Sequence, residues 1–193
     1  RDCLLSRGLG DVYKRQIFSG VGKTRAEMTR ALDIGIGCFN VESEAELDVL
    51  STVAAGLGRT ASVSIRVNPD VDAQTHPYIS TGLKGNKFGI AHDRALDVYR
   101  HAASLPGLKV VGIDCHIGSQ ITQLSPYLDA MDRVLDLVNA IEDAGIPLHH
   151  IDFGGGLGID YQGDTPPEAA TLWQQLFACL LYTSPSPRDK RQS

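Results

Sequence analysis

Ser62-Val63-Ser64-Ile65-Arg66-Val67 alternates branched apolar side chains with small or charged ones. Neighbours along a strand point to opposite faces, so Val63, Ile65 and Val67 lie on one side and Ser62, Ser64 and Arg66 on the other. The same division recurs in three further stretches. Phe39 and Val41 oppose Cys38, Asn40 and Glu42; Val111, Ile113 and Cys115 oppose Gly112, Asp114 and His116; Ile151 and Phe153 oppose His150 and Asp152. Each of these strands therefore has one apolar face and one polar or small face.

The segments between them read as helices. Thr24 and Glu27 have the spacing of a capping box ahead of Met28, Ala31 and Leu32, and Gly35 stops that helix. Ser43 and Glu46 repeat the spacing before Leu47, Leu50 and Ala54, with Gly56 and Gly58 closing the unit. A third helix is expected over 93–104. A fourth is expected with Ser125 as N-cap and Pro126 at N1, carrying Leu128, Met131, Leu135, Val138 and Ile141. A strand remnant, Ile17-Phe18, precedes the first helix, and another helix begins near Pro166-Pro167-Glu168.

Strand and helix at steady spacing means right-handed βαβ units and a parallel sheet. A doubly wound open sheet carries helices on both sides and needs apolar residues on both faces. One polar face fits a barrel with helices only outside and a ligand site in its lumen. The expected fold is thus α/β, a partial (β/α)8 TIM-like barrel with about five of eight βα units. Residues 68–90, with Pro69, Pro77, Gly82, Gly85 and Gly89, form an irregular stretch of a length that is usually functional.

The chain of 193 residues is 42% hydrophobic and 21% charged, with four cysteines in no zinc-type spacing. Its net charge of −5 gives no sign of a nucleic-acid surface, and it has no run long enough to span a bilayer and no secretory signal, so a cytoplasmic protein is expected. Residues 1–16 carry four basic and two acidic side chains and residues 179–193 three and one, leaving 11 basic against 20 acidic between them. Both ends contain Lys-Arg-Gln, at 14–16 and 190–192, and neither has amphipathic period. Residues 1–16 and 179–193 are therefore expected to be foreign adapter or cloning sequence, native disordered tails being the alternative.

Active sites of such barrels form at the C-terminal ends of the strands, where Glu42, Arg66, Asp114, His116, Ser119 and Gly154-Gly155-Gly156 fall. Three consecutive glycines after a strand offer either bare N–H groups to an anion or simply a tight turn. His116 shares the inner parity and is followed at once by Gly118 and Ser119, whose hydroxyl suits a phosphate oxygen or an ordinary turn cap. Arg66 on the inner face needs an anionic partner, which could be Glu42, Asp114, a substrate or a cofactor.

Asp114-Cys115-His116-Ile117-Gly118-Ser119-Gln120 and Asp152-Phe153-Gly154-Gly155-Gly156-Leu157-Gly158 resemble two motifs of the fold-type III pyridoxal-phosphate decarboxylases, which share the alanine racemase type of barrel. Residues 39–47 are also similar to that family. The loop 68–82, with His76-Pro77-Tyr78-Ile79-Ser80-Thr81-Gly82, and Lys87-Phe88-Gly89-Ile90 resemble the diaminopimelate-specific branch rather than the ornithine, arginine or carboxynorspermidine branches. The resemblance covers about 17–178. It implies pyridoxal 5'-phosphate as cofactor, meso-diaminopimelate as substrate, L-lysine and carbon dioxide as products, and a homodimer. It further implies that His116 packs on the cofactor ring and that Ser119 and Gly154, Gly155 and Gly156 hold its phosphate; His116 and, from its place on the inner face, Arg66 are the expected catalytic residues. No metal is implied.

The family's cofactor-anchoring lysine lies upstream of the matching stretch, and its later phosphate and cysteine motifs lie downstream. Lys14, Lys23, Lys84 and Lys87 do not match the anchor. The 193 residues are therefore expected to be an internal fragment without decarboxylase activity of its own, and poorly soluble through its exposed sheet edges. Two readings from other classes remain: a non-catalytic pyridoxal-phosphate carrier barrel, and a sugar-phosphate barrel enzyme that uses no pyridoxal.

Overall fold

The computed structural model describes residues 16–71, 88–160, 163 and 165–183. The loop residues His76 to Gly82, together with Lys84, Lys87 and most of both terminal segments, lie outside the described residues. In chain order the elements are β1 (Ile17–Phe18), α1 (Arg25–Ile34), β2 (Cys38–Val41), α2 (Glu44–Gly56), β3 (Ala61–Asn68), β4 (Ile90–Ala91), α3 (His92–Ser104), β5 (Leu108–Cys115), α4 (Ser125–Asp143), β6 (His150–Asp152) and α5 (Ala169–Thr183).

Local signals set most of these bounds. Thr24 and Glu27 form a reciprocal capping box on α1, and Gly35 ends it in the left-handed conformation at φ 73°. Ser43 caps α2 by accepting from the Glu46 N–H. At α4 the N-cap is Leu124, with no side-chain bond, and Ser125 already lies inside the helix, so the expected serine cap is displaced by one residue.

All strand pairs are parallel and run in the order β1-β2-β3-β5-β6, with the two-residue β4 pairing β3 off that path. The sheet is strongly curled. Asn40 Nδ2 on β2 donates to Asp152 Oδ2 on β6 at 3.1 Å, although the two strands stand three steps apart, about 14 Å in a flat sheet. Only a concave inner face lets these short side chains meet. The arc is a parallel half-barrel, as the polar strand faces required.

The outer face carries the core. Phe39, Val41, Val63, Ile65, Val67, Ile113 and Cys115 are at most 1% exposed and pack with Leu47, Leu50 and Ala54 of α2 and Ala95, Val98 and Tyr99 of α3. In β5 the alternation slips. A register shift between Val63 and Ser64 pairs Val63 with Val110 but Ser64 with Gly112, so Val110 rather than Val111 enters the core. The extra residue is a β-bulge, and it corrects the expected placing of Val111 on the apolar face.

The inner face forms rows across the strands. Asn40, Ser64, Gly112 and His150 are successive register partners, as are Arg66, Asp114 and Asp152 one layer nearer the C-terminal ends. Gly112 leaves room for the His150 imidazole, which would collide with any Cβ there. On the open side of the arc, a cleft of 660 Å³ is lined by Ile17, Met131, Ile151, Trp173, Leu176 and Phe177 among others.

Candidate active site

The C-terminal ends of β2, β3, β5 and β6 bring Glu42, Arg66, Asp114, His116, Asp152 and Gly154 to the wall of a 380 Å³ cavity, with Ser19 and Gly20 from the loop after β1. Arg66 and His116 thus share one cavity with the first glycine of the run. Arg66 Nη1 bonds both carboxylate oxygens of Glu42, at 3.0 and 3.1 Å. Both side chains are largely buried, at 15% and 6% exposure, so the pair is shielded from solvent. The guanidinium also lies 5.7 Å from the Phe88 ring centroid. Of the partners open to Arg66, the structure shows Glu42 engaged, with Asp114 its register neighbour.

Electrostatics in the cavity follow from burial. The Asp114 carboxyl is pushed up to about 7, chiefly by desolvation and then by Asp152, with Arg66 acting in the opposite sense. Burial, and next the Arg66 charge, push His116 below its usual 6.5, which favours a neutral imidazole. Asp152 accepts from Asn40 Nδ2 and, through Oδ1, from the Gly154 N–H at 3.2 Å. The strand end and the glycine run are thereby tied together.

The glycine run is shaped by close approach as well as by backbone freedom. Gly154 at φ 61° abuts His116: a Cβ there would come within 2.8 Å of the Cys115 carbonyl and of His116 Nδ1. Gly156 at φ 101° crosses Gly118 so closely that a Cβ would strike its carbonyl oxygen, and Ser119 Cα is next at 3.4 Å. A Cβ at Gly155 would meet nothing within 4 Å. Gly154 and Gly155 are exposed, as is Ser119. Among the described residues, the N–H groups of Gly155 and Gly156 donate no hydrogen bond. Gly154 serves the turn, Gly155 leaves an open donor, and Gly156 combines a close approach with an N–H that donates no bond among the described residues. Ser119 lies beside the run rather than in the cavity wall. These free N–H groups and the nearby hydroxyl make a donor set suited to a phosphate, and the flat neutral imidazole suits an aromatic ring.

Several groups escaped the sequence reading. Glu46, expected to serve the cap of α2, instead bonds Lys23 Nζ at 2.6 Å and the Glu42 N–H at 3.2 Å. The Lys23 side chain is 1% exposed and also donates to the carbonyls of Gly20 at 2.6 Å and Asn40 at 2.7 Å, so its three protons are taken. The Asn40–Asp152 contact joins residues 112 apart in sequence and leaves no local signal. Gln120 bonds both the N–H and the carbonyl of Ile159, and only its place beside Ser119 marked it.

The profile of the family described as pyridoxal-dependent decarboxylase, pyridoxal binding domain, matches residues 7–185. A diaminopimelate decarboxylase of Neisseria meningitidis serogroup A is 62% identical over 165 residues, which are 86% of this chain and 40% of that protein. The Pseudomonas aeruginosa diaminopimelate decarboxylase is 63% identical over 153 residues, 79% of this chain and 37% of the relative. Among solved structures, the Helicobacter pylori diaminopimelate decarboxylase complexed with L-lysine superposes with a TM-score of 0.84 at 40% identity, covering 88% of this chain and 43% of that one. The chain thus spans about 40% of the length of the curated relatives it matches.

Proposed function

The chain belongs to the pyridoxal-dependent decarboxylases, whose pyridoxal-binding domain it matches, and on that premise we propose that it is part of an enzyme converting meso-2,6-diaminopimelate to L-lysine and carbon dioxide. The observation that carries this reading is the rim cavity, where Arg66, Asp114 and His116 meet Gly154, the head of a glycine loop whose next two N–H groups donate no hydrogen bond among the described residues. Identity above 60% to diaminopimelate decarboxylases of two genera supports the choice of substrate.

Pyridoxal 5'-phosphate, when bound, supplies an aromatic ring that accepts the electron pair left as carbon dioxide departs. The N–H groups of Gly155 and Gly156 and the Ser119 hydroxyl hold its phosphate. Gly154 contributes by letting the chain pass close against His116, its own N–H being committed to Asp152. His116 offers an uncharged imidazole to the ring, burial and the Arg66 charge weakening its hold on a proton. Arg66, fixed by Glu42, brings positive charge to the reaction cavity and favours anionic groups of the substrate there. Asp114, with its raised affinity for a proton, can hold one in the cavity wall near pH 7.

A homodimer and a cytoplasmic location complete the proposal, both carried by the resemblance. Among the described residues, no helix is long and apolar enough to cross a membrane. The test is carbon dioxide release by the full-length protein with added pyridoxal phosphate. Turnover of meso-diaminopimelate with ornithine and arginine inert is expected. Turnover of either of those with diaminopimelate inert would assign the chain to another branch, and no turnover of any would favour a carrier barrel.

A further inference from the structure

Gln120 carries an observation that the proposed chemistry does not use. Its backbone is left-handed, at φ 57°, a conformation that favours glycine. A glutamine held there needs something that over-determines it. Its side-chain amide supplies this: Nε2 donates to the Ile159 carbonyl at 2.5 Å, and Oε1 accepts from the Ile159 N–H at 3.2 Å. The carboxamide therefore satisfies both backbone groups of one residue, as the opposite residue of a neighbouring strand would. The next residue continues the pattern with backbone alone. Ile121 bridges Leu157 in parallel, its N–H donating to the Gly156 carbonyl and its carbonyl accepting from the Gly158 N–H, both at 2.9 Å.

Four hydrogen bonds thus stitch the loop after β5 to the loop after β6. They lie next to the groups assigned to the phosphate, since Ser119 precedes Gln120 and Gly156 precedes the bridged Leu157. Ser119 and Gly155 are exposed, and besides a long 3.5 Å bond from the Tyr127 hydroxyl to the Gly155 carbonyl, packing does little to hold them. Their separation is set by the stitching and by the contact of Gly156 with Gly118. We propose that Gln120 is a positioning residue that holds Ser119 and the Gly155–Gly156 N–H groups at the spacing a phosphate monoester needs, touching neither substrate nor ring. This rests on the reading of the glycine loop as the phosphate site.

The test compares pyridoxal 5'-phosphate with pyridoxal, which lacks the phosphate, by equilibrium binding to the full-length protein. Asparagine tolerates the left-handed backbone but is one methylene too short to reach Ile159, and glycine removes strain and clamp together. For Gln120→Asn and Gln120→Gly, the preference for the phosphorylated ligand should fall about tenfold or more, with pyridoxal binding and Tm little changed. General destabilisation would weaken both ligands alike. An unaltered preference in Gln120→Asn, or wild-type behaviour of Gln120→Gly alone, would overturn the clamp. A wild-type protein without preference for the phosphorylated ligand would instead sink the phosphate reading, and the clamp with it. A measurement free of variants stands beside these: the Ile121, Gly158 and Ile159 amides should exchange slowly in the unliganded wild type, and fast exchange there would refute the stitching.

Discussion

Asparagine at position 114 keeps the shape of the side chain and removes its titration. Asp114 is buried on the inner face, and its carboxyl is raised from the ordinary 3.8 to about 7 by desolvation first and by Asp152 second, with Arg66 opposing. The folded value is the higher one, so the native chain holds the proton more tightly than the unfolded chain. The stability this contributes is complete below the unfolded value of 3.8 and is lost as pH rises through about 7. At about 1.4 kcal/mol per tenfold change in proton affinity, the span corresponds to on the order of 4 kcal/mol as a ceiling. Water entering the open side of the arc brings this toward roughly 2 kcal/mol. Urea unfolding of wild type and Asp114→Asn, at about pH 4 and about pH 7.5, reads the effect directly. The stability difference, wild type minus variant, should fall by roughly 2–4 kcal/mol between the two conditions. His116 and His150 are both shifted below 6.5 by burial and act in the opposite sense, losing stability as pH falls. They are present in both chains and largely cancel in the difference. Identical pH dependence of the two chains would show that Asp114 binds its proton no more tightly in the folded chain than in the unfolded one.

Three further substitutions probe the same wall. Arg66→Met strands the buried Glu42 carboxylate and should cost about 3–5 kcal/mol in chemical unfolding; the double variant Glu42→Gln/Arg66→Met should recover most of it, and a double variant no more stable than Arg66→Met would contradict the buried pair. Gly156→Ala must accommodate a side chain at φ 101° against the Gly118 carbonyl and should cost at least about 2 kcal/mol, whereas Gly155→Ala, with open space around it, should cost under about 1 kcal/mol. Equal urea midpoints for the two alanine variants would show that the loops do not cross as described. Gly112→Ala drives a Cβ into the His150 ring and should cost about 1–3 kcal/mol; His150→Ala in the same chain should restore it, and strictly additive losses would deny the contact.

The curl of the sheet was readable because period-2 alternation states which strand face must be apolar, and Ser62 to Val67 states it without ambiguity. The same rule failed in β5, where Val110 and Val111 are both apolar and nothing in composition marks the extra residue of a bulge. β4 was unreadable, being two residues long and held by pairing rather than propensity. Capping residues foretold α1 in full but α2 only in part, since the Glu46 carboxylate found a stronger partner in Lys23, 23 positions away. For the site, parity placed Arg66, Asp114 and His116 on the inner face, and the structure gathers them into one cavity. The Asn40–Asp152 contact depends on curvature, and the Gln120 clamp on a left-handed residue that no local pattern announces.

Whether the inner rim seats a phosphorylated ring is decided most directly by a crystal structure of the full-length protein with pyridoxal 5'-phosphate. Phosphate oxygens are expected within hydrogen-bond reach of the Gly155 and Gly156 N–H groups and the Ser119 hydroxyl, with the ring against His116. A cofactor lodged instead in the apolar cleft beside Trp173 and Phe177, with the rim donors turned to solvent, would contradict it.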